Sequence, residues 1–138
     1  MKAMLATVVL GIGLLLAAVP VAAHHGFASE FDAEKPVTLT GTVALLEWRN
    51  PHVWIHMDVK GPDGKVVRWR VEGGAPNALY RNGWKRESVA IGSVLTVQGF
   101  LAKDGSPTAN GNTVKLPDGK VLGAASSAGQ RQGGGGGY

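Results

Sequence analysis

Hydrophobic and polar residues alternate through the middle of the chain, and the frame of that alternation marks out the strands. Val37, Leu39, Gly41, Val43 and Leu45 share one face, with Thr38, Thr40, Thr42 and Ala44 on the other. This predicts a long first strand, and Gly41 inside it suggests a bulge or a sharp coil. The frame slips near Leu45-Leu46, as it would in a strand bending from one sheet into another. Asn50-Pro51 signals a turn. Strand 2 follows from His52 to Lys60, with Val53, Ile55 and Met57 inward and His52, Trp54, His56 and Asp58 outward. Gly61-Pro62-Asp63-Gly64 reverses the chain. Strand 3 then sets Val67, Trp69 and Val71 inward against Arg68, Arg70 and Glu72 outward.

Gly73-Gly74 ends strand 3, and Pro76 and Gly83 bracket a short helix over Asn77 to Asn82. Trp84 to Ile91 is a connector. Gly92-Ser93 opens strand 4, with Leu95, Val97 and Leu101 inward and Thr96, Gln98 and Phe100 outward. A loop from Lys103 to Pro107 leads to strand 5, Asn112 to Leu116, and Pro117 to Lys120 turns into a short last strand, Val121-Leu122. Three strands, a helix and two or three further strands give an all-β fold of small helical content. The order predicts an OB-fold-like barrel of five to six strands over residues 37–122, with one short helix between strands 3 and 4.

The ends read differently. Met1-Lys2, an apolar run from Leu5 to Ala18 and the small residues before His24 have the form of a secretory signal peptide over residues 1–23. The run is short of the roughly 20 residues that a membrane span needs, so no span is expected after cleavage. His24 would be the first mature residue, or Ala23 if cleavage falls one position earlier. Residues 24–36 have no sustained period. Phe27 and Phe31 are expected to lay this N-terminal segment on the barrel as a loop or one helical turn. Residues 123–138 are rich in Gly, Ser, Ala and Gln and should form a disordered tail.

Composition narrows the chemistry. The 138 residues include no cysteine, which excludes disulfides, thiolate metal sites and cysteine nucleophiles. Loss of Lys2 with the signal leaves 13 basic against 10 acidic residues, a net charge of +3. That mild balance, without clustered Lys and Arg, does not suit nucleic acid. An exported protein, periplasmic or secreted, is expected.

The segments AHHGFASEFD, PVTLTGTV, EWRNPHVWIHMDV, WRVEGGAPNAL, NGWKRESV, LTVQGFLAKDGSPTANG and VKLPDGKVL span Ala23 to Leu122. Together they resemble a domain-of-unknown-function family of small exported bacterial proteins. The resemblance implies export and a small β-rich domain, and brings no catalytic residue with it.

The most chemically loaded stretch is Trp48 to Asp58, whose outward face carries His52, Trp54, His56 and Asp58. An even-sum register across the Gly61–Gly64 turn sets His56 opposite Arg68 or Arg70, and Trp54 opposite Arg70 or Glu72. Trp54, His56, Arg68 and Arg70 then form a basic patch around an indole ring, on the face that OB-folds use for ligands. Such a patch suits a small anionic, planar or sugar-like ligand, or a cell-envelope protein. The competing reading is a solvated face in which Arg70 covers Trp54 and pairs with Glu72.

Metal binding is the other candidate. His52 and His56 lie about 13 Å apart along a strand, too far to ligate one ion as a pair. His24 and His25 at a new amino terminus, completed by His52 or His56, would make a nitrogen-rich set suited to copper. No nucleophile elbow, Ser-x-x-Lys setting or phosphate loop is present, so a binding module is expected rather than an enzyme.

Overall fold

The first strand reaches further back than the alternating pattern in the sequence does. The structure, a computed structural model, describes residues 26–125. A one-turn helix α1 (Phe27–Glu30) runs directly into strand β1 (Phe31–Glu47), followed by β2 (Trp54–Lys60) and β3 (Val66–Glu72). Helix α2 (Pro76–Arg81) and a 3-10 turn (Arg86–Ser88) lead to β4 (Val94–Ala102), β5 (Thr108–Lys115) and β6 (Val121–Gly123). The fold is mostly β with two short α-helices, the one expected between strands 3 and 4 and the helical turn at Phe27–Glu30.

The six strands form one sheet in the order β3-β2-β1-β4-β5-β6, antiparallel at each of these contacts. Arg70, Val71 and Glu72 of β3 also pair in parallel with Thr108, Ala109 and Asn110 of β5. This contact closes a ring of hydrogen bonds through β1, β2, β3, β5 and β4, and β6 extends β5 outside it. The interior is filled by Leu39, Val43, Val53, Ile55, Met57, Val71, Leu95, Val97 and Val114, with Leu79 and Trp84 from the segment between β3 and β4. The inward face expected for strand 2 is therefore the buried one.

Several positions depart from the expected pattern. β1 starts at Phe31 rather than Val37, because Phe31 pairs with Ala102 and is buried. The ladder resumes only at Pro36 opposite Phe100, so the intervening polar residues hide the strand's true start. The frame slips between Val43 and Leu45, one step before the expected place, and Leu45 is 44% exposed rather than inward. Val67 is also 44% exposed. Only Arg70–Glu72 of β3 reaches β5, so the outer half of the hairpin projects past the ring.

Strand 5 begins at Thr108, four residues early, since Thr108–Asn110 is the ring-closing contact. His52 and Val53 precede β2 instead of belonging to it, and α2 starts at Pro76. The expected tail also begins too early. Gly123 lies in β6, and Ala124 is buried, donating to Asn112 O at 2.8 Å and accepting from Gly74 N at 2.8 Å. Residues 1–25 and 126–138, including the expected signal and most of the tail, lie outside the described residues. No described helix is long and apolar enough to cross a membrane.

Close strand approach explains two glycines. A Cβ at Gly41 would stand 2.5 Å from Asp58 O, and one at Gly99 would stand 2.0 Å from Asn110 O. The expected irregularity at Gly41 is thus a tight contact with β2, while the slip in that ladder is at Ala44. Gly99 sits at the register shift of the β4–β5 ladder.

Candidate functional site

The hairpin register fixes what its outer face presents. Trp54 lies opposite Glu72, His56 opposite Arg70, and Asp58 opposite Arg68. Arg70 is therefore diagonal to Trp54, within reach of its ring. Its guanidinium carbon stands 4.4 Å from the ring centroid, a cation–π contact that holds the long side chain flat against the strand. Of the competing readings, Arg70 does cover Trp54, but the ion-pair partner of Glu72 is His52.

A cleft of about 930 Å³ opens over this face. Trp54, His56, Arg68 and Arg70 line one wall. The other wall comes from Ser29, Glu30 and Phe31, from Lys103, Asp104 and Ser106 of the β4–β5 loop, and from Thr108 at the start of β5. Sequence reasoning identified the first wall and missed the second. Phe27 and Phe31 carried the signal that the N-terminal segment packs down, but nothing in the period showed onto which face.

That second wall is well anchored. Phe27 is buried, with its ring edge-on to Phe100 at 5.6 Å and tilted against Phe31 at 5.8 Å. Lys103 donates from Nζ to Ala28 O at 2.6 Å and from its backbone N to Glu30 O at 2.9 Å. Within the loop, Asp104 Oδ1 accepts from Ser106 N at 2.9 Å, and Ser106 Oγ donates to Thr108 Oγ1 at 3.0 Å. Bonding to Ser106 holds the Asp104 carboxyl below its ordinary range. Pro107 O accepts from Arg70 N at 2.9 Å, tying the loop to β3.

Most charges on the hairpin face are already partnered. Asp58 grips Arg68 through both Nε and Nη2, the latter at 3.1 Å from Oδ2. This bonding lowers the Asp58 pKa and raises that of Arg68. His56 Nε2 lies 2.7 Å from Glu47 Oε1, and Glu47 also pairs with Arg49. The His56 bond is the main reason that the Glu47 carboxyl is held low. Arg70 forms no ion pair among the described residues; its guanidinium stacks on Trp54 and lines the cleft. Glu47, Asp58 and Glu72 do not assemble into a carboxylate pair, since each goes to a different cation or imidazole.

Glu72 was expected to be a solvated member of the outer face. It is 5% exposed, with Oε1 2.5 Å from His52 Nδ1 and Oε2 buried without a hydrogen-bond partner. Burial pushes its pKa up to about 7, the Glu30 charge adds to that rise, and Arg70 opposes it. Glu72 pairs with Trp54 on one side and Asn110 on the other, and the alternation along strand 3 gave no warning of the second neighbour.

The metal reading finds no completed set. Among the described residues, no group of three His, Cys, Asp or Glu side chains is placed to hold an ion. His52 and His56 each direct one ring nitrogen to a carboxylate, while His24 and His25 lie outside the described residues.

A family model described as a family of unknown function (DUF6152) matches residues 12–112. No curated protein and no solved structure matches the chain.

Proposed function

We propose that this chain, which belongs to the family of unknown function DUF6152, is an exported, non-catalytic binding module whose cleft takes a small ligand bearing an anionic group. The observation that carries the reading is Arg70. Its guanidinium is stacked on Trp54 and lines a cleft, and it forms no ion pair among the described residues, the Glu47 and Glu72 carboxylates acting on it only at longer range. A guanidinium fixed in this way loses little freedom when its donors meet a carboxylate or phosphate oxygen. The volume of about 930 Å³ lies within the range of small-molecule sites, which favours a compact ligand over a cell-envelope protein.

The finer reading of the fold is an OB-like barrel. In support of it, the ring runs β1-β2-β3-β5-β4, a helix connects β3 to β4, and the cleft covers the β2–β3 face. The N-terminal sequence supports export to the periplasm or beyond. Mass spectrometry of the exported protein should give a first residue of His24 or Ala23. A mature chain that retains Met1 to Ala22 would overturn the cleaved-signal reading.

Binding is testable through tryptophan emission. Trp54 is one of four tryptophans, so the Trp54→Phe variant supplies the background from the other three. Acetate, glucuronate and inorganic phosphate are suitable first probes. At least one should change the emission of the intact chain, and Arg70→Ala should weaken that response about tenfold, the equivalent of 1.4 kcal/mol. An unchanged response in Arg70→Ala would remove the cleft as the binding site.

A further inference from the structure

His52 and Glu72 form a pair that the anion-binding reading does not use. Glu72 lies on β3 between Trp54 and Asn110, and its side chain is only 7% exposed. Its Oε1 stands 2.5 Å from His52 Nδ1, while Oε2 is buried without a hydrogen-bond partner. The chain beside His52 is pinned, because Val53 N donates to Gly74 O at 3.0 Å and Val53 O accepts from Gly73 N at 2.8 Å. With Nδ1 directed to the carboxylate, Nε2 is left open on a side chain that is 36% exposed. Metal-binding histidines are held in this way: one ring nitrogen donates to a carboxylate, which orients the ring and makes the other nitrogen a better ligand.

The N-terminal segment packs on the same side of the sheet. Phe27 sits edge-on to Phe100, Phe100 pairs with Asn110, and Asn110 pairs with Glu72. Two strand spacings of about 4.8 Å thus separate the Phe100 position from Glu72. His24 and His25 directly precede Gly26, the N-cap of α1, and two residues span up to about 7 Å before side-chain reach is added. We propose that the processed chain holds one Cu(II) ion between His52 Nε2 and the new amino terminus, where His24 supplies its amine and its imidazole. Nitrogen donors of this kind favour copper among the divalent ions. Glu72 does not touch the ion. It orients His52, and the ion's charge offsets that of a carboxylate with an unpartnered oxygen. The surrounding charges are mixed, Glu30 and Glu72 against Arg70 and Lys103, so the donor nitrogens rather than a net field must hold the ion. His56 is also directed by a carboxylate, but its side chain is only 15% exposed. The site rests on the cleaved-signal reading and is independent of the anion cleft.

Titration of the processed chain with Cu(II) tests this, followed by calorimetry and by the nitrogen hyperfine splitting in electron paramagnetic resonance. His52→Gln, which keeps a donor for Glu72, should weaken binding by more than about a hundredfold and remove one nitrogen from the splitting. Glu72→Gln keeps the shape of the pair and should weaken binding about tenfold. His56→Ala should keep the parent's copper spectrum. Unchanged affinity and spectrum in His52→Gln would overturn the site, and a terminal chelate that starts at Ala23 and uses His25 alone would give that result. A loss in His56→Ala equal to that in His52→Gln would overturn the choice of His52, and full affinity in Glu72→Gln would overturn the role given to Glu72. Mass spectrometry separates the two grounds of failure. A chain that begins at His24 and binds no copper overturns this site alone, whereas one that retains Met1 to Ala22 overturns the cleaved-signal reading beneath it.

Discussion

Gly99→Val should destabilise the domain by on the order of 4 kcal/mol and lower its thermal midpoint by roughly 15–30 °C. The cause is backbone, not side-chain, crowding. A Cβ at this position would stand 2.0 Å from Asn110 O and 3.0 Å from its carbonyl carbon. No rotamer relieves a clash with a neighbouring strand's main chain, so β4 and β5 must move apart. Asn110 is also the β5 residue that pairs with Glu72, at the parallel contact closing the ring. Separating β4 from β5 therefore strains the contact that holds the β3 wall of the cleft in place. Gln98→Ala, one residue away and exposed, should stay within about 0.5 kcal/mol of the parent. Equal thermal midpoints for Gly99→Val and the parent would show that the close approach is not a constraint.

That clash also shows where sequence reading stops. The inward residues of β2 were legible because a period of two, carried by Val53, Ile55 and Met57, leaves no other face for the core. The same period fixed the parity of the hairpin register, and so grouped Trp54, His56, Arg68 and Arg70 on one face. It could not choose between His56 opposite Arg68 and His56 opposite Arg70, because both satisfy the alternation.

Ring closure was invisible for a different reason. The segment Thr108–Asn110 has no apolar alternation, yet it pairs on both sides, with β3 and with β4. Its place is set by tertiary pairing that a local window cannot see. Val67 failed in the opposite direction, since its apolar side chain fits a strand whose outer half lacks a neighbour to bury it. The second wall of the cleft depends on where α1 docks, and two phenylalanines four residues apart say only that it docks somewhere.

Glu72 is where these non-local effects gather, and it should make stability depend on pH in an unusual direction. Its pKa is about 7 in the folded protein, against an ordinary value of 4.5 that the unfolded chain should approach. Below about pH 4.5 the group is protonated in both states, and the buried acid carries no charge. Between 4.5 and 7 the folded state holds a proton that the unfolded state has released, so stability from this group falls as pH rises. Above about 7 the loss is complete, and a charged carboxylate stays buried with Oε2 unpartnered.

The full loss should be about 2 kcal/mol, discounted because the neighbouring His52 side chain is 36% exposed and admits water. Glu72→Gln keeps the shape and removes the titration. Relative to the parent, this variant should gain about 2 kcal/mol between pH 4.5 and pH 8, or roughly 8–16 °C in thermal midpoint. Taking the difference between the two proteins at each pH cancels the other titrating groups that they share. Parallel midpoint curves across that range would mean that Glu72 ionises as freely in the fold as in the unfolded chain, and that its burial beside His52 costs nothing.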